Sequence, residues 1–278
     1  MKFKGSLPNK MPSTGTTIFS QMSALAAEHK AVNLSQGFPD FQVDPRLVDM
    51  ATKAMQIGHN QYAPMPGVRV LREAIHNKVK NFYNAEYDVD TEITITAGGT
   101  QALTSTILST IREGDEVILF TPCYDSYVPI IELAGGSPVY VQLKTPDYLP
   151  DWEEFKQVMN HRTRMVIINS PHNPTGTVWN KEDFDQLASI LNGTNIMVLS
   201  DEVYEHITFD GKQHHSVLGH PNLQDRSFAV FSFGKTFHAT GWKLGYVIAP
   251  ENLMFEFRKV HQYEVFSVNA PMQYALAE

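Results

Sequence analysis

The chain has 278 residues, of which 42% are hydrophobic, and this length and composition suit one large α/β domain. Its formal net charge is −8 and its basic residues are scattered, which argues against nucleic-acid binding and against a basic membrane-binding surface. The single cysteine, Cys123, excludes an internal disulfide and suits a reducing compartment. We find no secretory leader and no apolar run of about 18 residues, so we expect a cytoplasmic protein without a membrane partner.

The N-terminal third of the chain favours helices separated by turns. After an opening stretch rich in Pro, Lys and Ser, residues 18–29 have the pattern of a helix. Residues 35–40 follow as a turn-rich loop, and helical spacing of apolar residues returns over 47–57 and 68–82.

From residue 92 onward, short β-like runs alternate with helical segments. The strand candidates are residues 93–96, 116–120, 138–141, 165–168, 196–199, 228–231 and 246–248. The helix candidates between them are residues 100–111, 124–133, 151–159 and 181–191. Several strand candidates are continuously apolar, which is typical of strands that helices cover on both faces. The pattern predicts a three-layer α/β/α domain with a mainly parallel, mixed sheet.

In such sheets ligands bind at the carboxyl ends of the strands, so the residues that follow each run are site candidates. Lys235 follows the run 228–231, in the stretch Ser232-Phe233-Gly234-Lys235-Thr236. Apolar surroundings lower the pKa of an amine, which can then attack a carbonyl carbon and form a Schiff base. The nearby hydroxyls and a second cation, Lys243, suit a phosphate group. A lysine joined to a phosphorylated aldehyde describes pyridoxal phosphate.

Two other interpretations of Lys235 are less favoured. Most lysines are solvated surface charges, but this one lies between two apolar strand candidates. A nucleotide-binding phosphate loop would require glycine at position 229, where the chain has Ala229.

Three other strand ends carry signals that are weak one by one. Gly99 and Thr100 open a helix whose free amides attract phosphate, although an ordinary tight turn has the same residues. Tyr124 offers a ring that can stack on a planar cofactor, although core packing is the commoner fate of a tyrosine. Asn173 lies between two prolines that fix the direction of its amide, although Asn-Pro is equally a turn signal.

Asp201 follows the strand candidate 196–199. An acid at the end of an apolar strand is unfavourable unless it has a cationic partner, and a protonated pyridine nitrogen is such a partner. Tyr204, three residues later, can donate a hydrogen bond to a ring hydroxyl oxygen. The alternative is that Asp201 only caps the next helix.

Together these residues resemble the fold-type I pyridoxal-phosphate-dependent aminotransferases of class I/II, from about residue 18 to the end of the chain. The resemblance is greatest to the branch of methionine (glutamine) aminotransferases and kynurenine–oxoglutarate aminotransferases. It rests on Leu34-Ser35-Gln36-Gly37-Phe38-Pro39-Asp40-Phe41, on Asn60-Gln61-Tyr62-Ala63-Pro64-Met65-Pro66-Gly67, and on residues 200–206 and 235–246. It implies ping-pong, Schiff-base transfer of an amino group, from methionine, glutamine or an aromatic amino acid, to a 2-oxo acid.

The resemblance also implies residue roles. The catalytic residues would be Lys235, which forms the Schiff base and moves the proton, Asp201 and Tyr204. The implied pyridoxal 5′-phosphate-binding residues are Gly99, Thr100, Tyr124, Asn173, Asp201, Tyr204, Ser232, Lys235 and Lys243. The implied substrate-binding residues are Gly37, Phe38, Tyr62 and Asn173, and no metal is implied.

The resemblance further implies how the whole protein is organised. Residues 1–45 would form an arm and a segment associated with a small domain, and residues 46–278 a large cofactor-binding domain. A homodimer is expected, with Tyr62 reaching the neighbouring site. Relatives continue for about a hundred residues beyond the position of Glu278, into a small domain whose arginine grips the substrate carboxylate. Lys243 stands where many relatives have arginine, and a lysine holds phosphate with less directional definition.

Three alternative functions remain open from the sequence. A β-lyase acting on sulfur amino acids would need the same Schiff-base lysine. An effector-sensing or non-catalytic module could use the same fold, and a nucleotide-binding protein would need a Gly-x-Gly-x-x-Gly turn that Gly98-Gly99 does not provide. His214, His215 and His220 lack metal-site spacing, so we interpret them as part of a polar loop.

Overall fold

The computed structural model describes residues 3–11, 15–35, 37 and 41–278. The chain forms two compact units, Met1–Phe41 and Gln42–Glu278. In the described part of the first unit, one helix is present, α1 (Ile18–Glu28). It begins where the Thr17 side chain accepts a hydrogen bond from the backbone N–H of Ser20. The predicted helix 18–29 is confirmed to within one residue.

The second unit alternates strands and helices. Its strands are β1 (Ile93–Thr96), β2 (Glu116–Thr121), β3 (Ser137–Gln142), β4 (Thr163–Asn169), β5 (Met197–Asp201), β6 (Ser227–Ser232) and β7 (Gly245–Ile248). Its α-helices are α2 (Pro45–Gln56), α3 (Arg69–Tyr83), α4 (Gly99–Thr110), α5 (Tyr127–Leu133), α6 (Trp152–Val158), α7 (Lys181–Leu191), α8 (Phe233–Thr236), α9 (Glu251–Glu264) and α10 (Ala270–Ala277). Short 3₁₀ helices cover Val217–Gly219, Gln224–Arg226 and Thr240–Trp242. Every predicted strand is present, with bounds within two residues of the prediction.

The strands form one mixed sheet in the order β1-β7-β6-β5-β4-β2-β3. β7 runs antiparallel to both of its neighbours, and all other neighbouring pairs are parallel. The carboxyl ends of β1, β2, β4, β5 and β6 therefore lie at one edge of the sheet. This arrangement confirms the predicted mainly parallel sheet and brings the candidate residues to a common edge.

Helices cover both faces of the sheet, because successive strand side chains point to opposite faces and most of them are apolar. Buried residues of α3, α6, α7 and α10 pack on one face, which includes Val198 of β5. Buried residues of α4, α5 and α9 pack on the other face, which includes Leu199. The three-layer prediction is confirmed, and successive β5 side chains point into different layers.

Three helical segments differ from the prediction, and the first two matter for the site. The predicted helix 124–133 begins at Tyr127, because Ser126 takes the position before its first turn and Tyr124 stays in the preceding loop. The single-turn helix α8 was not predicted, since four residues are too few for a periodic pattern. Helix α9 was also not predicted, although Leu253, Met254 and Phe257 have helical spacing.

Among the described residues, no helix combines the length and the apolar character that crossing a membrane requires. The proposed division of the chain at residues 45 and 46 stays a prediction.

Candidate active site

Lys235 lies at the carboxyl edge of the sheet, on the single turn α8 that directly follows β6. Its side chain is half-buried, and its Nζ lies 5.4 Å from the centre of the Tyr204 ring. Burial lowers the pKa of Lys235 below its ordinary value; the Asp201 carboxylate opposes this shift and the Lys243 charge adds to it. The amine is thus poised to lose its proton more easily than a surface lysine.

Asp201 ends β5, the strand next to β6, and is only 3% exposed. The Tyr127 hydroxyl donates a 2.6 Å hydrogen bond to Oδ2, and the backbone N–H of Val203 donates a longer one of 3.4 Å to Oδ1. Burial raises the pKa of Asp201 to about 6, and these two hydrogen bonds and the charge of Lys235 only partly offset it. Asp201 is therefore a buried carboxylate that is mostly ionised at neutral pH.

The start of α4 has the features of an anion site. The helix begins after Gly98, whose φ is 84°, and no side chain caps its first amides. A Cβ built on Gly98 would lie 3.4 Å from Lys243 Nζ, so this cation stands beside the free amides of Gly99 and Thr100. Backbone N–H groups, a helix dipole and an ammonium group together suit a phosphate.

Ser232, at the end of β6, lies near the first turn of α4 because of how β6 pairs with β7. It pairs with Gly245 across β6 and β7. A Cβ on Gly245 would lie 3.1 Å from the backbone nitrogen of Gly99 and 3.0 Å from the carbonyl carbon of Gly98. Only a glycine permits this close approach, which brings the end of β6 up to the first turn of α4.

Two tyrosines line the space near Asp201. Tyr204 is half-buried, and burial, the Asp201 charge and the nearby Tyr124 hydroxyl all raise the pKa of its hydroxyl, so it stays protonated and can donate. Tyr124 packs edge-on against Tyr127, with ring centres 5.5 Å apart. Both rings therefore lie beside the buried carboxylate.

Asn173 is tied to the same strand ends through its neighbour Asn169. The backbone N–H of Asn173 donates a 2.7 Å hydrogen bond to the Asn169 side-chain oxygen. The Asn169 side-chain nitrogen donates a 2.8 Å bond to the carbonyl oxygen of Asp201. The loop after β4 is thereby held against the end of β5.

Tyr127 and Asn169 are site residues that the sequence interpretation missed. Asn169 is the last residue of β4 and directly follows the predicted run 165–168, so the strand-end rule covered it but no role was given to it. Tyr127 lies 74 residues from Asp201 and meets it only because α5 packs on the same face of the sheet. No local pattern signals that contact.

The predicted substrate-binding residues are placed less completely. Tyr62 is 82% exposed and meets Phe266 edge-on at 5.1 Å. Gly37 belongs to the Met1–Phe41 unit and is exposed, and Phe38 lies outside the described residues. Their roles in substrate binding stay predictions.

His214, His215 and His220 lie in irregular segments, as the polar-loop interpretation expects, and two of them have carboxylate partners. The His214 side chain is 6% exposed and its Nε2 lies 2.9 Å from Glu202 Oε2, while His220 Nε2 lies 3.0 Å from Asp185 Oδ1. These two are partners of carboxylates because the loop folds back onto the domain. Over the described ranges, no group of three or more His, Cys, Asp or Glu side chains is placed to hold a metal ion.

The residues present fit pyridoxal 5′-phosphate. The buried Asp201 carboxylate is adjacent to Lys235 but receives only a phenol and one long amide bond, which leaves it suited to a cationic ring nitrogen. The uncapped start of α4 with Lys243 provides a separate cradle for the phosphate.

Comparison with known proteins adds sequence and structural relatives. A sequence model of the family described as "Aminotransferase class I and II" matches residues 29–278. The methionine aminotransferase of Escherichia coli is 53% identical over 97% of this chain and 70% of its own length. The kynurenine–oxoglutarate transaminase of Dictyostelium discoideum is 37% identical over 97% of this chain and 66% of its own length. This chain thus spans about two thirds of the length of these relatives.

Solved structures agree with these matches. An Escherichia coli structure that identifies a methionine aminotransferase function has a TM-score of 0.94 and 52% identity, and covers 98% of this chain and 71% of that chain. Aspartate aminotransferase from Thermus thermophilus with maleate has a TM-score of 0.92 and 29% identity, over 98% of this chain and 72% of that chain.

Proposed function

The chain belongs to the class I and II aminotransferases, and on that premise we propose that its site binds pyridoxal 5′-phosphate and transfers amino groups between amino acids and 2-oxo acids by a ping-pong mechanism. The observation that carries the proposal is the pairing, at one sheet edge, of a half-buried amine on α8 with a buried carboxylate at the end of β5. Burial of both groups is unfavourable in the free protein, and it would become useful if Lys235 and Asp201 held a cationic aromatic aldehyde.

Each part of the site has a proposed role in holding the cofactor. Gly99 and Thr100 at the start of α4 would bind the phosphate, assisted by Ser232 and Lys243. Asp201 would bind the ring nitrogen, Tyr204 and Asn173 would donate to the ring hydroxyl oxygen, and Tyr124 would stack on the ring.

The chemistry that the cofactor supplies when bound is withdrawal of electrons from the substrate α-carbon. The residues of the chain supply the proton transfer and the electrostatics. Lys235 Nζ, whose pKa is lowered by burial, can accept the α-proton of the substrate and give it back. Asp201 Oδ1 and Oδ2 stay ionised at neutral pH and hold a positive ring nitrogen in place.

We further propose methionine, glutamine and aromatic amino acids as the favoured donors. The relatives named above act on methionine and kynurenine, and the aromatic side chain of Tyr124 suits an apolar donor better than aspartate. A homodimer with the exposed Tyr62 reaching a second site, and a cytoplasmic location, belong to the same proposal.

The test is spectroscopic and enzymatic. The purified full chain, incubated with pyridoxal 5′-phosphate, should gain a visible absorbance band that borohydride abolishes, and Lys235→Ala should gain none. A panel of amino donors at one fixed 2-oxo acid then ranks the substrates. A Lys235→Ala variant with wild-type turnover would refute the assignment, and release of ammonia and pyruvate from a cysteine conjugate would indicate β-elimination instead.

A further inference from the structure

The turn that carries Asp201 and Tyr204 has a second face, directed away from the candidate site. Alternation along β5 sends Asp201 towards Tyr127 of α5, in the layer with α4 and α9. Glu202, the next residue, points into the opposite layer. Three residues later Glu205 does the same, because Glu205 N donates a 3.0 Å bond to Glu202 O and closes a helix-like turn.

Glu202 is fully embedded in this second layer. It is 1% exposed, and its Oε1 accepts hydrogen bonds from the Ser200 hydroxyl at 2.8 Å and from the Val217 backbone N–H at 3.2 Å. Its Oε2 lies 2.9 Å from His214 Nε2, and the His214 side chain is 6% exposed. Both carboxylate oxygens are thereby fixed in direction.

Glu205 is anchored to a different element. It is 5% exposed and accepts hydrogen bonds from the Lys78 ammonium and the Tyr83 hydroxyl, which both lie on α3. Lys78 also donates a 2.8 Å bond to the Tyr246 hydroxyl on β7. This side chain therefore connects the turn to α3 and, through Lys78, to the sheet.

Stability alone does not account for two buried glutamates here. Replacement of a buried ion pair by apolar side chains of similar size is often neutral or stabilising, because taking charges out of water is unfavourable. Charge-assisted hydrogen bonds, however, are short and directional, and an apolar contact is not. What Glu202 and Glu205 supply is a fixed orientation of the short segment between them.

We propose that Glu202 and Glu205 are positioning residues, which hold this turn from its far face so that the side chains on its near face are directed at Lys235. The inference rests on the proposed function, because the direction of Asp201 and Tyr204 has a chemical consequence only when a cofactor ring lies against them. A misplacement of about 1 Å in such a site can slow a reaction roughly 10²-fold.

The test compares Glu202→Gln and Glu205→Gln with a matched control in the full chain. Glutamine keeps the shape and removes the charge. The control is Glu116→Gln: Glu116 is 7% exposed and is bound by Arg162 and Asn160 at the start of β2, the far edge of the sheet. The measurements are kcat, the KM of the amino donor, the melting temperature, and the circular dichroism of the cofactor band.

A positioning role predicts that kcat falls about 10- to 100-fold in both site variants, with KM within about threefold. The ellipticity of the cofactor band should change with it, since the ring loses its fixed partners. In Glu116→Gln the melting temperature falls, while kcat and ellipticity stay within about twofold of the wild type. A merely structural role predicts the control behaviour in all three variants.

The outcomes separate the two hypotheses. If the wild type forms no cofactor band, the proposed function fails and this inference fails with it. If the wild type forms the band and both site variants retain its kcat and ellipticity, only the positioning role is overturned. Should Glu205→Gln not fold, Tyr83→Phe removes one donor to Glu205 and no charge; it should lower kcat about three- to tenfold, and unchanged kcat and ellipticity overturn the role.

Discussion

The phosphate end of the candidate site is built mainly from backbone, whereas the ring end is built from side chains that meet through tertiary packing. At the phosphate end, two glycines and the first turn of α4 present free amides beside Lys243. At the ring end, Asp201 is fixed by Tyr127 from α5 and by Asn169 from β4. The backbone part can form wherever the local sequence permits it, while the side-chain part needs three elements in register.

The largest expected effect is at the ring end. Asp201→Asn keeps the size of the side chain and removes its charge, so a cationic ring nitrogen loses its partner. We expect kcat to fall by about three orders of magnitude while the cofactor stays bound through the phosphate end. Steady-state kinetics at saturating cofactor, with absorbance as a check of occupancy, measures this; unchanged turnover would contradict the comparison.

The same substitution, Asp201→Asn, should lower kcat but increase the stability of the folded protein above pH 6. Folding raises the pKa of Asp201 from 3.8 to about 6, so the ionised form is disfavoured in the native state. This destabilisation is absent below pH 4, appears as the pH rises from 4 to 6, and is full above pH 6. At pH 8 it amounts to at most about 3 kcal/mol.

We therefore expect cofactor-free Asp201→Asn to have a larger free energy of unfolding than the wild type at pH 8, and a nearly equal one at pH 4. Urea unfolding of both proteins at the two pH values measures their free energies of unfolding. Taking the difference between variant and wild type at each pH cancels the contribution of the other titrating groups. A difference that does not depend on pH would show that the buried carboxylate is not the cause.

The contrast between the two ends also explains which parts of the molecule were predictable from sequence. Gly99 and Thr100 were assigned because a strand, two glycines and a helix start are neighbours in the sequence. All seven strands were predictable because each is a short β-like run in the sequence. Lys235 and Asp201 were predictable because each follows such a run.

What the sequence could not provide depends on distant parts of the chain. Tyr127 carries no local signal of a site role, since its contact with Asp201 depends on how α5 packs. The burial of His214 likewise depends on the fold of its loop against Glu202. Helix α9 is different, because its apolar spacing is visible in the sequence and was overlooked.

A smaller effect is expected at the phosphate end, because the backbone amides of Gly99 and Thr100 remain when a single side chain is removed. Lys243→Met takes away one charged donor, which is worth about 1.5–3 kcal/mol. We expect a roughly 10- to 100-fold weaker affinity for pyridoxal 5′-phosphate, with kcat at saturating cofactor within about threefold. Titration of cofactor-free protein measures it, with Lys181→Met as the control, since Lys181 pairs with Asp185 on the surface.

The smallest effect should come from Tyr127→Phe, which tests whether the ring end depends on packing at a distance. The Tyr127 hydroxyl donates to Asp201 and lowers the pKa of that carboxyl, so its removal should raise the pKa above about 6. Cofactor binding favours ionised Asp201, so the affinity for pyridoxal 5′-phosphate falls as the pH is lowered and Asp201 takes up a proton. In Tyr127→Phe this fall should begin at a pH up to about one unit higher than in the wild type.

Tyr87→Phe is the matched control for that shift. Tyr87 is 7% exposed and its hydroxyl donates to the backbone carbonyl of Leu218, at 3.3 Å and away from Asp201. Cofactor affinities measured between pH 5 and 8 give, for each protein, the pH at which the affinity is half lost. This midpoint pH should be the same for Tyr87→Phe and the wild type and higher for Tyr127→Phe. Coincident midpoints for all three proteins would mean that the charge state of Asp201 is set by burial alone, and that α5 contributes to the ring end only by its bulk.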